Sequence, residues 1–386
     1  MEGLARHNPS ILSVSMRYEI CLIGGMAPNA GKRTQLTSLM SCLALVTAVF
    51  LAPSYLAADS RLFQVIDLGS NAPSELNERG QVAINQNDGR AIAGLWDRGS
   101  VRVLDEPNPS YYSGALGINN QGQVVGYGPA ASCFACPLST HAMIWQPDGT
   151  RTMLPHLAPS SSRAEANGSE AQAINNRGEI VGWSFRGAAG RGGWQQAVLW
   201  RNGQATELAP ADTPSSAAYG INDNGDVVGW ISVATPEGFR NRPFLWSGSM
   251  TTLAPVAAGN GSAIAYAINN TRQVVGTADI ADGGKRAVRW ENGSVADLGT
   301  LKGDTDSEAY AINARGEVGG KSYNRGCPTC APRAVIWTNG QIRDLNQLIA
   351  ADSGWQLHEV IDIDDEGRVA GRGLLNGEPR YFLLEN

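Results

Sequence analysis

Two sets of aromatic residues occupy fixed places in a motif that recurs along the chain. One set directly follows a Val-Gly pair and consists of Tyr127, Trp183 and Trp230. The other lies three residues before the asparagine of an Ile-Asn pair and consists of Tyr219, Tyr266 and Tyr310. Aromatic rings held around a funnel can stack on sugar rings or hold a peptide, whereas rings wedged between sheets only fill the core. The sequence leaves both interpretations open for these candidate ligand-binding residues.

Residues that could support catalysis or metal binding show no convergent pattern. His141, His156 and His358 are scattered along the chain, whereas a metal site or a nucleophile relay needs side chains that meet. The run that starts at Asp362 begins like a calcium loop, but its twelfth position is Gly373 rather than glutamate. We therefore assign no catalytic residue, no metal site and no cofactor, and interpret this run as a turn.

Cysteine spacing gives two CxxC pairs, Cys133 with Cys136 and Cys327 with Cys330. A four-thiolate zinc site would need both pairs on one ion, although they stand in distant copies of the motif. In an exported protein, two local disulfides are the favoured alternative. We expect the disulfides.

The motif that positions these residues is seen most clearly in the run from Ala309 to Gly320. Its asparagine recurs at intervals of about 42 to 56 residues, with aspartate in the last copy. The seven positions are Asn77, Asn119, Asn175, Asn222, Asn269, Asn313 and Asp364. This period is typical of propeller blades and predicts an all-β, seven-bladed β-propeller.

Each repeat is interpreted as four short strands joined by tight turns. The Asn-x-x-Gly after the first strand suits a type I turn with a glycine bulge, and Asn-Gly pairs such as Asn202-Gly203 suit a hairpin between the third and fourth strands. The third strand ends in an aromatic residue that we expect to pack between sheets, and these residues are Trp96, Trp145, Trp200, Trp246, Trp290 and Trp337. The fourth strand is expected to close on a leucine, at Leu104, Leu154, Leu208, Leu253, Leu298 and Leu345.

Only six fourth strands follow seven first strands, and the missing one stands at the other end of the chain. The segment Phe63 to Gly69 has the fourth-strand pattern of the segment Ser294 to Gly299. A ring of sheets leaves only short, protected edges if this N-terminal strand completes the last blade. The sequence therefore predicts a propeller closed by residues 62–69.

The longest connections are expected at one face of the disc, which we name the top face. It lies opposite the uniformly short Asn-x-x-Gly and Asn-Gly turns. The segments concerned are 127–141, 155–169, 183–196, 230–242 and 321–333. Functional groups concentrate on such loops above a rigid scaffold.

Composition and the N-terminus point to an exported protein. The 386 residues carry a net charge of −6, so no basic surface indicates nucleic acid as a partner. Lys32 and Arg33 precede an apolar run and then small residues, as in a secretory signal peptide. We expect residues 1–58 to be a leader, with Met26 as a candidate start, and residues 59–386 to form one propeller. The mature chain should be secreted or periplasmic, monomeric and without a membrane span.

The repeat motifs resemble the HAF-repeat family of predicted extracellular proteins over roughly residues 62–384. The run from His141 to Trp145 keeps the histidine of the family's His-Ala-Phe signature, and the run from Pro243 to Trp246 keeps its phenylalanine. The resemblance implies an extracellular repeat protein and implies no activity. Our hypothesis is a non-catalytic binding module for an extracellular glycan or protein, which would be bound at the top face. The alternative is an extracellular polysaccharide lyase or hydrolase that uses a tyrosine or histidine in the funnel.

Overall fold

A computed structural model describes residues 62–87, 91–105, 112–129, 140–157, 168–186, 194–256 and 261–386. The predicted leader and the Cys133/Cys136 pair lie outside these residues. The described chain forms seven antiparallel four-stranded sheets, with one short 3-10 helix at Leu345–Gln347. None of its helices is long and apolar enough to cross a membrane.

Each sheet is a blade; in six blades the four strands follow one another in chain order, and in the seventh the fourth strand is the N-terminal strand. The first strands are β2 Ala72–Leu76, β6 Gly114–Ile118, β10 Ser169–Ile174, β14 Ser216–Ile221, β18 Ala263–Ile268, β22 Asp306–Ile312 and β26 Trp355–Ile363. The second strands are β3 Val82–Asn87, β7 Val124–Pro129, β11 Ile180–Arg186, β15 Val227–Thr235, β19 Val274–Asp279, β23 Val318–Tyr323 and β27 Val369–Leu375. Blades 1 to 7 are numbered in the order of these first strands.

The outer half of each blade contains a third and a fourth strand. The third strands are β4 Ala91–Asp97, β8 Thr140–Trp145, β12 Trp194–Arg201, β16 Gly238–Trp246, β20 Lys285–Glu291, β24 Arg333–Thr338 and β28 Glu378–Glu385. The fourth strands are β5 Ser100–Val103, β9 Arg151–Met153, β13 Gln204–Glu207, β17 Met250–Thr252, β21 Ser294–Asp297, β25 Gln341–Asp344 and β1 Gln64–Gly69. The predicted leucines follow the fourth strands by one residue; Leu104, for example, lies just beyond β5 but still donates its N–H to the Ala93 carbonyl, at 2.9 Å.

The seven first strands surround one central channel. Residues from all seven border the same cavity of about 450 Å³. The sheets are therefore arranged radially around an axis, and the predicted seven-bladed β-propeller is confirmed.

Ring closure by the N-terminal strand is also confirmed. β1 pairs antiparallel with β28, with Gln64 opposite Glu385 and Ile66 opposite Leu383. Leu68 is buried in the core between blades 7 and 1, and Val65 packs on the opposite face of the strand against the core between blades 6 and 7. The first and last segments of the propeller therefore share one sheet and two cores.

The recurring tryptophans pack between neighbouring blades, as predicted. Trp200 lies in a buried cluster with Val125 and Ala142 of the preceding blade. Its indole N–H donates to the Pro155 carbonyl, at 2.7 Å, and Trp290 makes the equivalent bond to Ala254. Trp200 and Trp290 thus each fix the position of one blade against the linker that follows the preceding blade.

The turn chemistry follows the sequence at most positions. Asn202 and Gly203 both have positive φ, of 52° and 74°, as the Asn-Gly hairpin requires. The glycine of the Asn-x-x-Gly turn has positive φ in six copies, whereas blade 5 places Arg272 there with φ of 64°. One predicted loop is wrong: residues 230–242 are largely strand, because β15 and β16 run on to a tight turn at Gly238, whose φ is 118°.

Candidate functional site

A β-bulge in every first strand supplies one residue to the channel. The register of the first and second strands shifts three residues before the motif asparagine, which leaves one residue without a partner. An unpaired bulge residue can be re-aimed away from the ladder. The seven bulge residues all line the central cavity and are Ser74, Leu116, Gln172, Tyr219, Tyr266, Tyr310 and Ile361.

The three tyrosines of this ring form a continuous tyrosine arc (Tyr219, Tyr266 and Tyr310) across blades 4 to 6. The ring centroids of Tyr219 and Tyr266 lie 5.6 Å apart with an interplanar angle of 26°, and those of Tyr266 and Tyr310 lie 5.6 Å apart at 57°. All three side chains are half-buried. The tyrosines therefore face the channel, and they do not serve as wedges between sheets.

The second predicted set reaches this arc only through Trp230, whose indole N–H donates to the Tyr219 hydroxyl at 3.2 Å. Trp183 lies one blade away, edge-on to Phe185 with centroids 5.2 Å apart. Tyr127 lies two blades away and covers Gly114, where an added Cβ would stand 2.5 Å from the tyrosine ring. The structure thus brings four of the six predicted residues together.

A charged cluster at the end of the arc was missed by the sequence analysis. The Tyr310 and Tyr323 hydroxyls donate to the two Glu308 carboxylate oxygens, at 3.0 and 3.1 Å. Lys321 Nζ lies 3.5 Å from Glu308 and 3.4 Å from Glu359, and 5.3 Å from the Tyr310 ring centroid. Glu308 and Glu359 each lie two residues before the bulge residue of their strand, and Lys321 follows the glycine that pairs with the first strand. This signal becomes visible only once the strands are in register.

The hydroxyls of Tyr266 and Tyr310 remain protonated at neutral pH. Burial, with Tyr219 and Glu308 nearby, raises the pKa of Tyr266 to about 12. Burial and the carboxylates of Glu359 and Glu308 raise the pKa of Tyr310 well above its ordinary value. These hydroxyls can therefore donate hydrogen bonds, but they do not supply a phenolate base.

Two carboxyl side chains from the neighbouring blades 1 and 7 form a second feature of the channel, named the carboxyl pair (Glu75 and Asp362). Glu75 accepts the Ile118 N–H at 2.8 Å, and Asp362 accepts the Leu76 N–H at 2.7 Å. Burial raises the pKa of Asp362 to about 7, and burial together with the Asp362 charge raises the pKa of Glu75. Asp362 is thus a channel residue at the end of β26, and the turn interpretation holds from Asp364, whose carbonyl accepts the Gly367 N–H at 3.1 Å.

The channel opens at the bottom face through a polar mouth of about 240 Å³. Each motif asparagine donates its side-chain N–H to the backbone carbonyl of the motif residue in the next blade, at 3.0 to 3.1 Å, from Asn77 to Asn313. The Asp364 side chain has no N–H to donate, and Arg368 spans the gap by binding Asp364 and reaching the Asn77 carbonyl at 3.5 Å. We name this ring the asparagine belt.

The described residues that line the central cavity and its bottom mouth include no histidine or cysteine. His141 Nδ1 and His156 Nε2 are 2.9 Å apart, and burial lowers the pKa of both. Cys327 and Cys330 form the predicted disulfide in the β23–β24 connection. Among the described residues, no group of three or more His, Cys, Asp or Glu could hold a metal ion.

Comparison with known proteins supports the fold and leaves the activity open. Residues 137–297 match a family described as protein of unknown function (DUF3466). No curated protein matches the chain. The propeller domain of the Trilobed protease from Pyrococcus furiosus, described as having an open velcro topology, is 9% identical, with 83% of this chain and 95% of that one covered and a TM-score of 0.53. In the present chain the β1–β28 pairing closes the ring.

Two longer proteins, a hydrolase and a peptidase, are also similar in structure to this chain. A puromycin hydrolase variant complexed with PGG is 14% identical over 79% of this chain and 50% of its own, with a TM-score of 0.53. The acylaminoacyl peptidase of Pyrococcus horikoshii is 11% identical over 82% and 51%, with a TM-score of 0.51. The present chain spans about half the length of these two proteins, and at such identities the likeness shows the fold alone.

Proposed function

We propose that this chain is a non-catalytic binding protein that holds a carbohydrate in the central channel, against the tyrosine arc. The observation that carries the proposal is the presentation of three adjacent, half-buried tyrosines to one cavity of about 450 Å³. This volume lies in the range of small-ligand sites. A ring of aromatic groups with Ser74, Gln172 and the carboxyl pair beside it offers a sugar both apolar contact and hydrogen-bond partners.

Carbohydrate is favoured over protein as the ligand because the candidate groups lie inside a channel. A stable protein partner needs an open surface of roughly 1,000 Å² or more. Much of the predicted loop-rich top face lies outside the described residues, so the proposal rests on the channel. The Cys327–Cys330 disulfide and the predicted leader support a secreted or periplasmic location, as the HAF-like repeats do.

A glycan array followed by calorimetric titration tests this function. The native chain should bind at least one oligosaccharide, and Tyr266→Ala should weaken that binding by about tenfold or more, because it opens a gap in the arc. Tyr112→Ala is the matched control, since Tyr112 is 58% exposed and is not one of the cavity-lining residues. Absence of binding to every glycan, or equal effects of the two substitutions, would contradict the proposal.

The carboxyl pair favours a second candidate, a polysaccharide-degrading enzyme. A carboxyl group whose pKa is raised toward neutrality can act as a general acid beside a sugar, and the pKa of Asp362 is raised in this way by burial. Release of reducing ends or unsaturated products from a polysaccharide panel, abolished by Asp362→Asn, would support this candidate. Inactivity on the panel, together with glycan binding, would exclude it.

A further inference from the structure

The central cavity and the bottom mouth of the channel are acidic. The central cavity and the bottom mouth share Glu75, Ile221, Ile268 and Ile312, so they are parts of one channel. Acidic side chains line both parts, whereas no lysine or arginine is among the residues that line them. The lining acids are Glu75, Glu78, Asp223, Asp362 and Asp365. A narrow channel with one sign of charge attracts ligands of the opposite sign.

Glu75 and Asp362 are part-buried, and unlike the fully buried acids of the described chain they have no cationic partner. Every buried aspartate or glutamate among the described residues has an arginine within 4.0 Å. These residues are Asp105, Glu179, Asp226, Asp306, Asp344, Glu359 and Asp364. Glu75 and Asp362 are instead held by backbone N–H groups and share in no ion pair of the described chain.

Enclosed carboxyl groups without a cation are unfavourable unless something neutralises them. The pair lines the same cavity as the tyrosine arc, and the face of a tyrosine ring can attract a cation. A ligand that carries an ammonium group on a sugar ring would satisfy both features together. Its ring would contact the tyrosines, and its ammonium group would donate hydrogen bonds to the carboxyl pair.

We propose that the carbohydrate bound in the channel is an amino sugar with free amino groups, recognised by Glu75 and Asp362 beside the tyrosine arc. This inference rests on the proposed carbohydrate-binding function and specifies its ligand. An N-acetylated sugar of the same length would lose the charge and leave the carboxyl pair without a partner. Selectivity should therefore depend on acetylation rather than on chain length.

Calorimetric titration of the full chain with two tetrasaccharides tests the inference. The probes are the glucosamine tetramer and the N-acetylglucosamine tetramer, used near pH 7, where the sugar amines are partly protonated and the carboxyl pair is partly ionised. Spermidine serves as a cation without a sugar ring. We expect the glucosamine tetramer to bind about tenfold or more tightly than its acetylated form, and this preference to shrink as salt is added.

The double substitution Glu75→Gln and Asp362→Asn is the matched variant. Both amides retain an oxygen that can accept the Ile118 and Leu76 N–H groups, while the negative charge is removed. We expect the variant to bind the two tetramers equally, with a melting curve that shows it is folded. If the variant does not fold, the inference is still tested by whether added salt reduces the native chain's preference for the glucosamine tetramer over its acetylated form.

The outcomes separate the two proposals. Equal binding of both tetramers by the native chain, or a preference that survives in the variant or in high salt, overturns the amino-sugar inference and leaves carbohydrate binding standing. Binding of the acetylated tetramer alone has the same meaning. Binding of spermidine without either tetramer, or of no probe and no glycan, overturns both.

Discussion

Glu75 and Asp362 set the electrostatics of the channel, and their effect on stability runs opposite to that of Asp226. Burial acts against the ionised form of each, and the pKa of both carboxyl groups is raised. At Asp226 burial has the same tendency, but hydrogen bonds from Arg272, Ser247 and Asn222 hold its pKa below the ordinary value. Asp226 therefore stabilises the fold as an anion, whereas the carboxyl pair is tolerated best when protonated.

The carboxyl pair should make the fold more stable as pH falls from about 7 toward 4. In this window the folded chain binds more protons than the unfolded chain, so unfolding becomes less favourable at lower pH. We predict that the double variant Glu75→Gln and Asp362→Asn gains melting temperature relative to the native chain as pH rises from about 5 to 8. Melting curves of both proteins across this range provide the measurement. If the melting temperatures of the two proteins change with pH in the same way, ionisation of the carboxyl pair does not destabilise the fold.

Among the elements, the first strands and their turns are coupled around the ring by the asparagine belt. Asn77, Asn119 and Asn269 each also donate to a glutamine four residues later, at 2.7 to 2.9 Å. In blade 7 the same two places are taken by Asp364 and Arg368, which form an ion pair with N···O of 2.6 Å. The ion pair thus replaces the Asn-Gln pair where the chain closes on itself.

Arg368→Gln alone should destabilise the propeller by about 3 kcal/mol, because it leaves the Asp364 carboxylate, which is 1% exposed, without its cation. Adding Asp364→Asn should recover most of the loss, since the double variant restores the Asn-Gln pair of blades 1, 2 and 5. Denaturant unfolding of the two single variants and the double variant measures this coupling. Additive losses in the double variant would mean that the two positions do not act as one unit.

Features set by residues close in sequence could be predicted, whereas features set by contacts between distant residues could not. Turns, strand order and tryptophan packing follow from short-range chemistry repeated in every copy, as at Asn202-Gly203 and Trp200. The channel side chains do not, because a bulge adds one residue and re-aims Tyr266 without any local turn signal. The carboxyl pair is beyond local reasoning altogether, since Asp362 bonds to Leu76 across 286 residues and is adjacent to it only in the closed ring.

At the scale of the whole molecule, stability depends on the shared sheet of blade 7. β1 covers the edge of β28 and contributes Leu68, which is 3% exposed, to the core between blades 7 and 1. Val65 and Phe63 pack against the core on the other side of the same blade. This short N-terminal segment thus contacts the cores on both sides of blade 7. Its removal should therefore destabilise blades 6, 7 and 1 together.

A chain starting at Ser70 should lose roughly 5 kcal/mol of stability, from several apolar side chains removed from the cores. It should also self-associate through the exposed edge of β28. A chain starting at Asp59 is the control and should melt like the native protein. Calorimetry and light scattering of both chains provide the comparison, and equal melting temperatures with a monomeric Ser70 chain would contradict closure by β1.

The central claim is that a sugar ligand occupies the channel, and fluorine NMR of the chain labelled with 3-fluorotyrosine tests it most directly. Signals of Tyr219, Tyr266 and Tyr310 can be assigned by single Tyr→Phe substitutions, with the exposed Tyr112 as an internal reference. On titration with the glucosamine tetramer, and with the acetylated tetramer as comparison, we predict shifts of the three channel signals and none of Tyr112. Binding with shifts confined to tyrosines outside the channel would contradict the account.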